Sequence, residues 1–437
     1  MRQTFNTLSV IGLGYIGFPT AVVLASHGVN VTGVDVNQRT VDSVNRGEVH
    51  IVEPGLDELA QVAVLNGRLR ATTKPEPAQG FIIAVPTPFR GNHEPDLTFV
   101  EAAANSIAPV LDKDNVVILE STSPVGTTER LCSILSSERP DLSFPNSAGE
   151  AADVQIAYCP ERVLPGKTLF ELIHNDRVIG GLTPRCARRA AAVYETFLKG
   201  RCFQTDARTA EMTKLAENAF RDVNIAFANE LSMVCDDLGI DVWELIELAN
   251  RHPRVNVLQP GPGVGGHCIA VDPWFIIHSA PQRTPLLTAA RQINDSKPLY
   301  VVEKIKAALE ERPGAKIACL GLSFKADIDD LRESPAVNIV QRLAEEANAD
   351  LLVVEPYVRE LPGRLLQFER VQLVGLDEAL QNAGIVAVLV NHKQFYTVDP
   401  AQLAKKIIID TRGVFTGETS FGAWRQRARA ASAGAAR

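Results

Sequence analysis

Three glycines, Gly12, Gly14 and Gly17, stand directly behind the apolar run LSVI and directly ahead of the stretch PTAVVLASHG, and Asp35 closes the next apolar run, NVTGVD. A glycine trio between a strand and a helix, with an acid at the end of the second strand, confines the chain to a βαβ unit that binds a dinucleotide. The first glycine permits the tight turn, the second lets a pyrophosphate approach the backbone, and the third lets the helix pack closely. The helix N-terminus then faces the negative charge. Asp35 lies eighteen residues past Gly17, where a carboxylate holds a ribose hydroxyl and repels a 2′-phosphate, so NAD rather than NADP is expected. Arg39 is the opposing sign, a cation able to meet a 2′-phosphate, and it is kept among the cofactor candidates.

The same rhythm organises the chain. LSVIGL, NVTGVD, GFIIAVP and NVVILE read as Val- and Ile-rich strands separated by stretches of helical period, the pattern of a parallel, doubly wound sheet with helices on both faces. This first domain is placed at residues 1–204. From Thr205 the register turns helical, with Val223, Phe227, Leu231 and Val234 on one face and neither Gly nor Pro until Gly239; Asp206 is the expected N-cap. A central helical domain over 205–310 follows, with homodimer contacts expected there. After Pro313 and Gly314, KIACLGLSF, ADLLVVEP, GIVAVLVN and AKKIIIDTRG repeat the strand pattern, with Glu355 standing where the first unit has Asp35. A C-terminal Rossmann-like domain is assigned to 311–425 and a flexible Ala- and Arg-rich tail to 426–437. The fold class is α/β: two Rossmann-like doubly wound parallel-sheet domains joined by a central helical domain.

Composition narrows the partners. With 44 basic against 52 acidic residues, a net charge of −8, the chain has no overall cationic footprint for nucleic acid. Its 46% hydrophobic and 22% charged content is that of a globular protein. Seven cysteines without a CxxC pair suggest neither zinc nor disulfides, hence no metal and a reducing cytoplasm. The nearly uncharged residues 8–25 resemble a membrane anchor, but Gly12, Gly14, Gly17 and Pro19 break such a span. A soluble chain without membrane contact is expected.

Three turns fall where the strands of the first sheet end: AVPTPF at Thr87, LESTSPVGTT at Thr122 and Thr128, and YCPERV at Glu161. Ligands of open α/β sheets bind there, although a threonine in a turn also serves as a local cap. On the central helix Glu211, Lys214, Asn218 and Arg221 share one face. That stripe is either a solvated face with a Glu–Lys pair or a row of groups turned towards a substrate, with Lys214 exchanging protons and Asn218 bonding the same oxygen. The densest signal is QPGPGVGGHCIAVDPWF, residues 259–275, where four glycines expose backbone ahead of Cys268 and Asp272 follows four residues later. A core thiol is the plain alternative. The functional reading has Cys268 attack a carbonyl and Asp272 activate water. Upstream, Arg251, His252 and Arg254 form a cationic patch suited to phosphate.

GLGYIGFPTA, AVPTPF, LESTSPVGTT, YCPERVLPG, KLAENAFRDVNIAFANE, PGPGVGGHCIAVDPWF and GLSFKADIDDLRESPA, in this order and over nearly the whole chain, resemble the UDP-sugar 6-dehydrogenase family. The resemblance implies an NAD-dependent four-electron oxidation of the sugar's C6 alcohol to a carboxylate, with a UDP-sugar as the small-molecule partner. It implies Cys268 as nucleophile, Lys214 as general acid/base, Asn218 as oxyanion partner, and Asp272 with Glu161 as water-activating carboxylates; Thr122 is counted with them. It further implies Arg162, Val163, Arg221, His252, Arg254, Gly265, Phe324 and Lys325 as substrate contacts, beside Lys214 and Asn218. Tyr15, Ile16, Thr87, Thr128 and Arg332 are implied as cofactor contacts. One departure stands out: UDP-glucose dehydrogenases typically carry Pro-Lys-Asp after the cysteine, and here Ala270, Val271 and Asp272 occupy those places. The missing lysine speaks against UDP-glucose and suits an N-acetylated sugar. Two other readings remain: a one-step hydroxyacid dehydrogenase, which would not need Cys268, and a sugar-nucleotide-binding protein without catalysis.

Overall fold

The computed structural model describes residues 5–415 apart from 52, 92, 165 and 267; the proposed tail, 426–437, lies outside them. The chain divides into two compact units, residues 1–217 with 274–281, and residues 218–273 with 282–437.

The first unit holds β1 (Thr7–Ile11), β2 (Asn30–Val34), β3 (Leu69–Thr72), β4 (Gly80–Ile83), a two-residue hairpin of β5 (Phe89–Arg90) and β6 (Glu94–Pro95), β7 (Val116–Leu119), β8 (Gln155–Tyr158), β9 (Arg177–Gly181) and β10 (Cys202–Asp206). Eight of them form one sheet in the order β10-β9-β8-β7-β4-β1-β2-β3. β4, β7 and β8 are buried along their whole length, as strands covered on both faces must be. β8 pairs antiparallel with β9, and β10 follows β9 in parallel, so the last two strands run against the other six. The order reverses between β1 and β4, which puts a crevice at the carboxyl ends of those strands. The uncharged run of residues 8–25 becomes β1, the glycine turn and helix Gly17–Ser26, whose residues are buried except Ser26. Its hydrophobicity belongs to the core under the sheet; among the described residues no helix is long and apolar enough to cross a membrane.

The second unit contains β11 (Lys316–Leu320), β12 (Leu351–Val354), β13 (Val371–Leu373), β14 (Ala383–Val388) and β15 (Ile407–Asp410), all parallel, in the order β13-β12-β11-β14-β15. The reversal falls between β11 and β14, so the first unit's plan recurs.

Helix Ala207–Leu238 begins behind Asp206, whose carboxylate accepts from the Thr209 amide at 2.9 Å and hydroxyl at 2.6 Å. The N-cap is the one expected, and these bonds hold the Asp206 carboxyl below its usual range. Within the second unit, Asp222 on this helix and Arg291 on helix Pro285–Glu311 form a buried ion pair at 2.5 Å. Asn294 donates to Asp222 at 2.8 Å, Asn229 donates to Asn294 at 2.9 Å, and the Gly261 amide donates to Asn229 at 2.8 Å. Such a network fixes register because each member lost leaves a buried group unsatisfied. It thereby ties the glycine-rich segment to the two helices.

Candidate active site

At the end of β1 the chain turns through Gly12 at φ +93°, its amide donating to the Val34 carbonyl at 2.7 Å. A Cβ on Gly12 would meet the Ala84 carbonyl at 2.5 Å, and one on Gly17 would meet the Gly12 carbonyl at 1.9 Å. Both positions therefore require glycine. Gly14 differs: nothing lies within 4 Å of the place its Cβ would take, and the residue is exposed. That open backbone ahead of helix Gly17–Ser26 is the cradle a pyrophosphate needs. Asp35 takes the Leu13 amide at 3.0 Å and the Asn37 amide at 2.9 Å, and it is half-buried, with room left on its oxygens for a ribose. Arg39 and Tyr15 are exposed and Ile16 half-buried around this mouth, and His50 braces the turn through the Leu13 carbonyl at 2.6 Å. These residues fit NAD.

The next strand ends carry hydroxyls and acids. Thr87 donates to the Thr122 carbonyl and Ser121 to the Val85 carbonyl at 2.7 Å, joining the turns after β4 and β7. Thr128 is buried, and its hydroxyl donates to Glu211 at 2.6 Å. Glu211 also accepts from the Gly126 and Thr128 amides at 2.7 and 2.8 Å, so it caps helix Thr127–Glu138 rather than facing solvent or a ligand. Burial still pushes its carboxyl up against those bonds.

Behind β8 lies Glu161, which accepts the Val163 amide. Its withdrawal from water raises its carboxyl to about 7; the Lys214 ammonium, the Val163 amide and Arg177 pull the other way, and Glu120 adds to the rise. A carboxyl near neutrality close to a buried lysine is a candidate for proton exchange. Arg162, read as a substrate contact, is paired with Glu217 at 2.6 Å and donates to the Asp176 carbonyl at 3.2 Å.

Sequence reading missed what stands behind Glu161. Glu120 and Arg177 are both buried, with nitrogen and oxygen 3.5 Å apart; Tyr194 donates its hydroxyl to Glu120 at 2.8 Å, and the guanidinium sits 4.4 Å from the Tyr194 ring. The run LESTSP does show Glu120, but its partners come from distant strands and helices.

Cys268, in the second unit, is exposed, while across the two units five of the other cysteines are buried and Cys202 is half-buried. Burial pushes the Cys132 thiol up to about 11 and the Cys319 thiol to about 12, values that suit inert core residues. The Cys268 carbonyl accepts the Val271 amide at 3.0 Å and the Asp272 amide at 2.9 Å, the helical turn that the four-residue spacing suggested. Asp272, buried at the start of helix Asp272–Ser279, accepts from the Asn218 side chain at 2.5 Å. Lys214 and Asn218 are likewise buried, which excludes a solvated face for them; Arg221 is exposed. Gly265 and Gly266 pack on Phe324, since Cβ atoms there would come within 3.0 and 2.9 Å of its side chain. Arg332 pairs with Asp330 at 2.7 Å, and His252 and Arg254 are exposed.

Against known proteins, the chain matches three parts of the UDP-glucose/GDP-mannose dehydrogenase family: the NAD binding domain over residues 6–198, the central domain over 208–296 and the UDP binding domain over 318–417. It is 59% identical to an NDP-N-acetyl-D-galactosaminuronic acid dehydrogenase of Ralstonia nicotianae, over 95% of this chain and 97% of that protein. It is also 59% identical to a UDP-N-acetyl-D-mannosamine dehydrogenase of Yersinia pestis, over 94% of this chain and 100% of that protein. Among solved structures, a UDP-D-ManNAc dehydrogenase of Pyrococcus horikoshii superposes with a TM-score of 0.85 at 36% identity, over 95% of this chain and 97% of that one.

Proposed function

This chain belongs to the UDP-glucose/GDP-mannose dehydrogenase family and is an NAD-dependent UDP-sugar dehydrogenase, and from that premise we propose that its substrate is UDP-N-acetyl-D-mannosamine, oxidised at C6 to UDP-N-acetyl-D-mannosaminuronate for polysaccharide precursor synthesis. The observation that carries the covalent route is the exposed Cys268, one helical turn from the buried Asp272 and its partner Asn218. NAD, when bound, supplies hydride acceptance, twice per sugar.

The protein's part is to manage protons and hold the half-oxidised carbon. Glu161, ionised, draws off the C6 hydroxyl proton through Lys214, whose ammonium passes one proton to the carboxylate as it receives another while the first hydride leaves. The Cys268 sulfur adds to the resulting aldehyde carbon, its proton passing to the oxygen, and the product is a thiohemiacetal that cannot escape as aldehyde. Loss of the second hydride and of the hydroxyl proton leaves a thioester. Water then adds to the thioester carbon with a proton drawn off by Glu161 or Asp272, the carbon–sulfur bond breaks, and the thiol and the carboxylate product are restored. Asn218 orients Asp272 and offers its amide to the developing oxyanion, and Thr122 is counted with the catalytic residues.

The three matched family segments support a division into domains at 1–204, 205–310 and 311–425. A homodimer is supported by Phe220, Phe227, Val234 and Leu238, exposed along helix Ala207–Leu238. A reducing cytoplasm suits an exposed thiol that must stay reduced to act.

The Ralstonia relative's name favours one second reading, an N-acetylgalactosamine-type sugar nucleotide. The discriminating experiment offers NAD with UDP-ManNAc, UDP-GalNAc, UDP-GlcNAc and UDP-glucose in turn. The highest kcat/KM is expected for UDP-ManNAc, and a tenfold preference for any other sugar overturns that assignment. Cys268→Ala should block net oxidation; unchanged steady-state turnover in that variant overturns the covalent role.

A further inference from the structure

The two Rossmann-like sheets repeat one hydrogen-bond pattern. Gly321 at φ +96° donates its amide to the Val354 carbonyl at 2.8 Å, as Gly12 does to Val34, and the Leu322 amide meets Glu355 at 2.7 Å, as Leu13 meets Asp35. There the likeness ends. Glu355 is buried, and it also takes the amides of Ser323 at 3.0 Å and Tyr357 at 3.2 Å. Its last partner is His392, wholly buried just beyond β14, with Nε2 at 3.1 Å from the carboxylate. The other ring nitrogen, Nδ1, accepts the Asp327 amide at 3.0 Å. Those two bonds give the ring a donor at Nε2 and an acceptor at Nδ1.

Asp327 is held at φ +62°, a backbone region that a non-glycine residue adopts only when its surroundings impose it. The surroundings here are the His392 ring, the Lys393 amide at 3.0 Å and the Tyr357 hydroxyl at 3.0 Å, the last two both donating to the Asp327 carboxylate. The turn that results is closed by the Phe324 amide on the Asp330 carbonyl at 3.1 Å and by the Ser323 hydroxyl on the Lys325 carbonyl at 2.7 Å. Phe324 is in turn the surface on which Gly265 and Gly266 lie. One imidazole thus ties the acid after β12 to the loop after β11 and, through Phe324, to the glycine-rich segment ahead of Cys268.

We propose that His392 is a positioning residue for sugar-nucleotide binding: bridging Glu355 and the Asp327 amide, it sets the 321–330 loop in the one conformation that presents Phe324 and Lys325. The proposal rests on the reading that Phe324 and Lys325 meet the UDP-sugar. It assigns the second unit's acid to holding the loop from within, the position where the first unit leaves its acid available to a ribose.

The test uses the full-length enzyme with NAD and UDP-ManNAc and compares His392→Phe, His392→Asn and His392→Gln. The phenylalanine keeps the ring's bulk and loses both bonds. It should raise KM for the UDP-sugar tenfold or more, while KM for NAD and kcat stay within about threefold. Asparagine, whose amide oxygen falls near the Nδ1 position and can accept from Asp327, should recover most of the loss; glutamine, which reaches only towards Glu355, should not. Should His392→Phe fail to fold, Tyr357→Phe removes a single bond to Asp327 from a half-exposed residue and should raise the same KM several-fold. An unchanged sugar KM in both His392→Phe and Tyr357→Phe overturns the proposal, as does an equal rise in both KM values. If the variants behave as expected but Lys325→Ala leaves the sugar KM unchanged, the loop reading fails for Lys325 and the proposal with it. A wild-type enzyme that oxidises no UDP-sugar overturns the functional reading itself.

Discussion

Asp35 and Glu355 end the second strand of the two Rossmann-like sheets and receive the same amide from the same turn, yet one is half-buried beside an open Gly14 and the other is sealed under His392. The difference shows that a shared backbone ladder does not dictate a shared use of the acid. A carboxylate that keeps lone pairs towards solvent can take a ligand's hydroxyls, whereas one saturated by amides and a ring can only hold shape. The first unit's strand ends therefore carry half-buried acids, Asp35 and Glu161. The second unit's strand ends carry a fixed scaffold for a loop.

Substitutions can break that contrast. The largest effect is expected at Glu161, where Glu161→Gln should lower kcat roughly 100- to 10,000-fold without loss of fold, if the group exchanges protons as proposed. In the wild type, activity should climb as pH passes about 7 and the carboxyl ionises, and the variant should lack that rise. Linkage adds a stability signature. The folded state keeps the Glu161 proton to about 7 against an ordinary 4.5, so stability is undiminished below the lower value and declines as pH rises through the upper one. Chemical denaturation at several pH values should show that decline in the wild type and less of it in Glu161→Gln.

Next comes Glu355→Ala, which strips the acceptor from three amides and a ring at once; a loss of about 3–5 kcal/mol in urea unfolding is expected, with NAD affinity unchanged. A weakened NAD affinity in this variant would erase the distinction drawn between the two acids. Asp35→Ala should do the reverse, weakening NAD by about 10- to 100-fold, the worth of hydrogen bonds to a charged group, with little change in the unfolding midpoint. It should also narrow the preference for NAD over NADP, which dinucleotide titrations with each would reveal. The smallest effect is expected from Gly14→Ala, which meets empty space in the protein: stability holds, and NAD binding falls only as far as the methyl crowds the pyrophosphate.

The glycine turn with Asp35 and the Cys268–Asp272 turn were legible because each depends on neighbours within a few residues. Glu211 was not. Its helical spacing offered a partner for Lys214 or a substrate contact, but the groups it caps, Gly126 and Thr128, lie more than eighty residues earlier in the chain. Arg162 similarly finds Glu217 on another element, and the buried Glu120, Arg177 and Tyr194 assemble from three segments with no local signature. The reversal of β9 and β10 was also illegible, since strand composition reports burial and not direction. His392 left no signal at all: one histidine after an apolar strand becomes informative only when Glu355 and Asp327 close around it.

The central claim is that one thiol carries the sugar through two successive oxidations without release. Its most direct test is the count of NADH formed per UDP-sugar consumed, run with an aldehyde trap in the solution. Two NADH per sugar with nothing trapped is the predicted result; one NADH per sugar with the 6-aldehyde captured would contradict it.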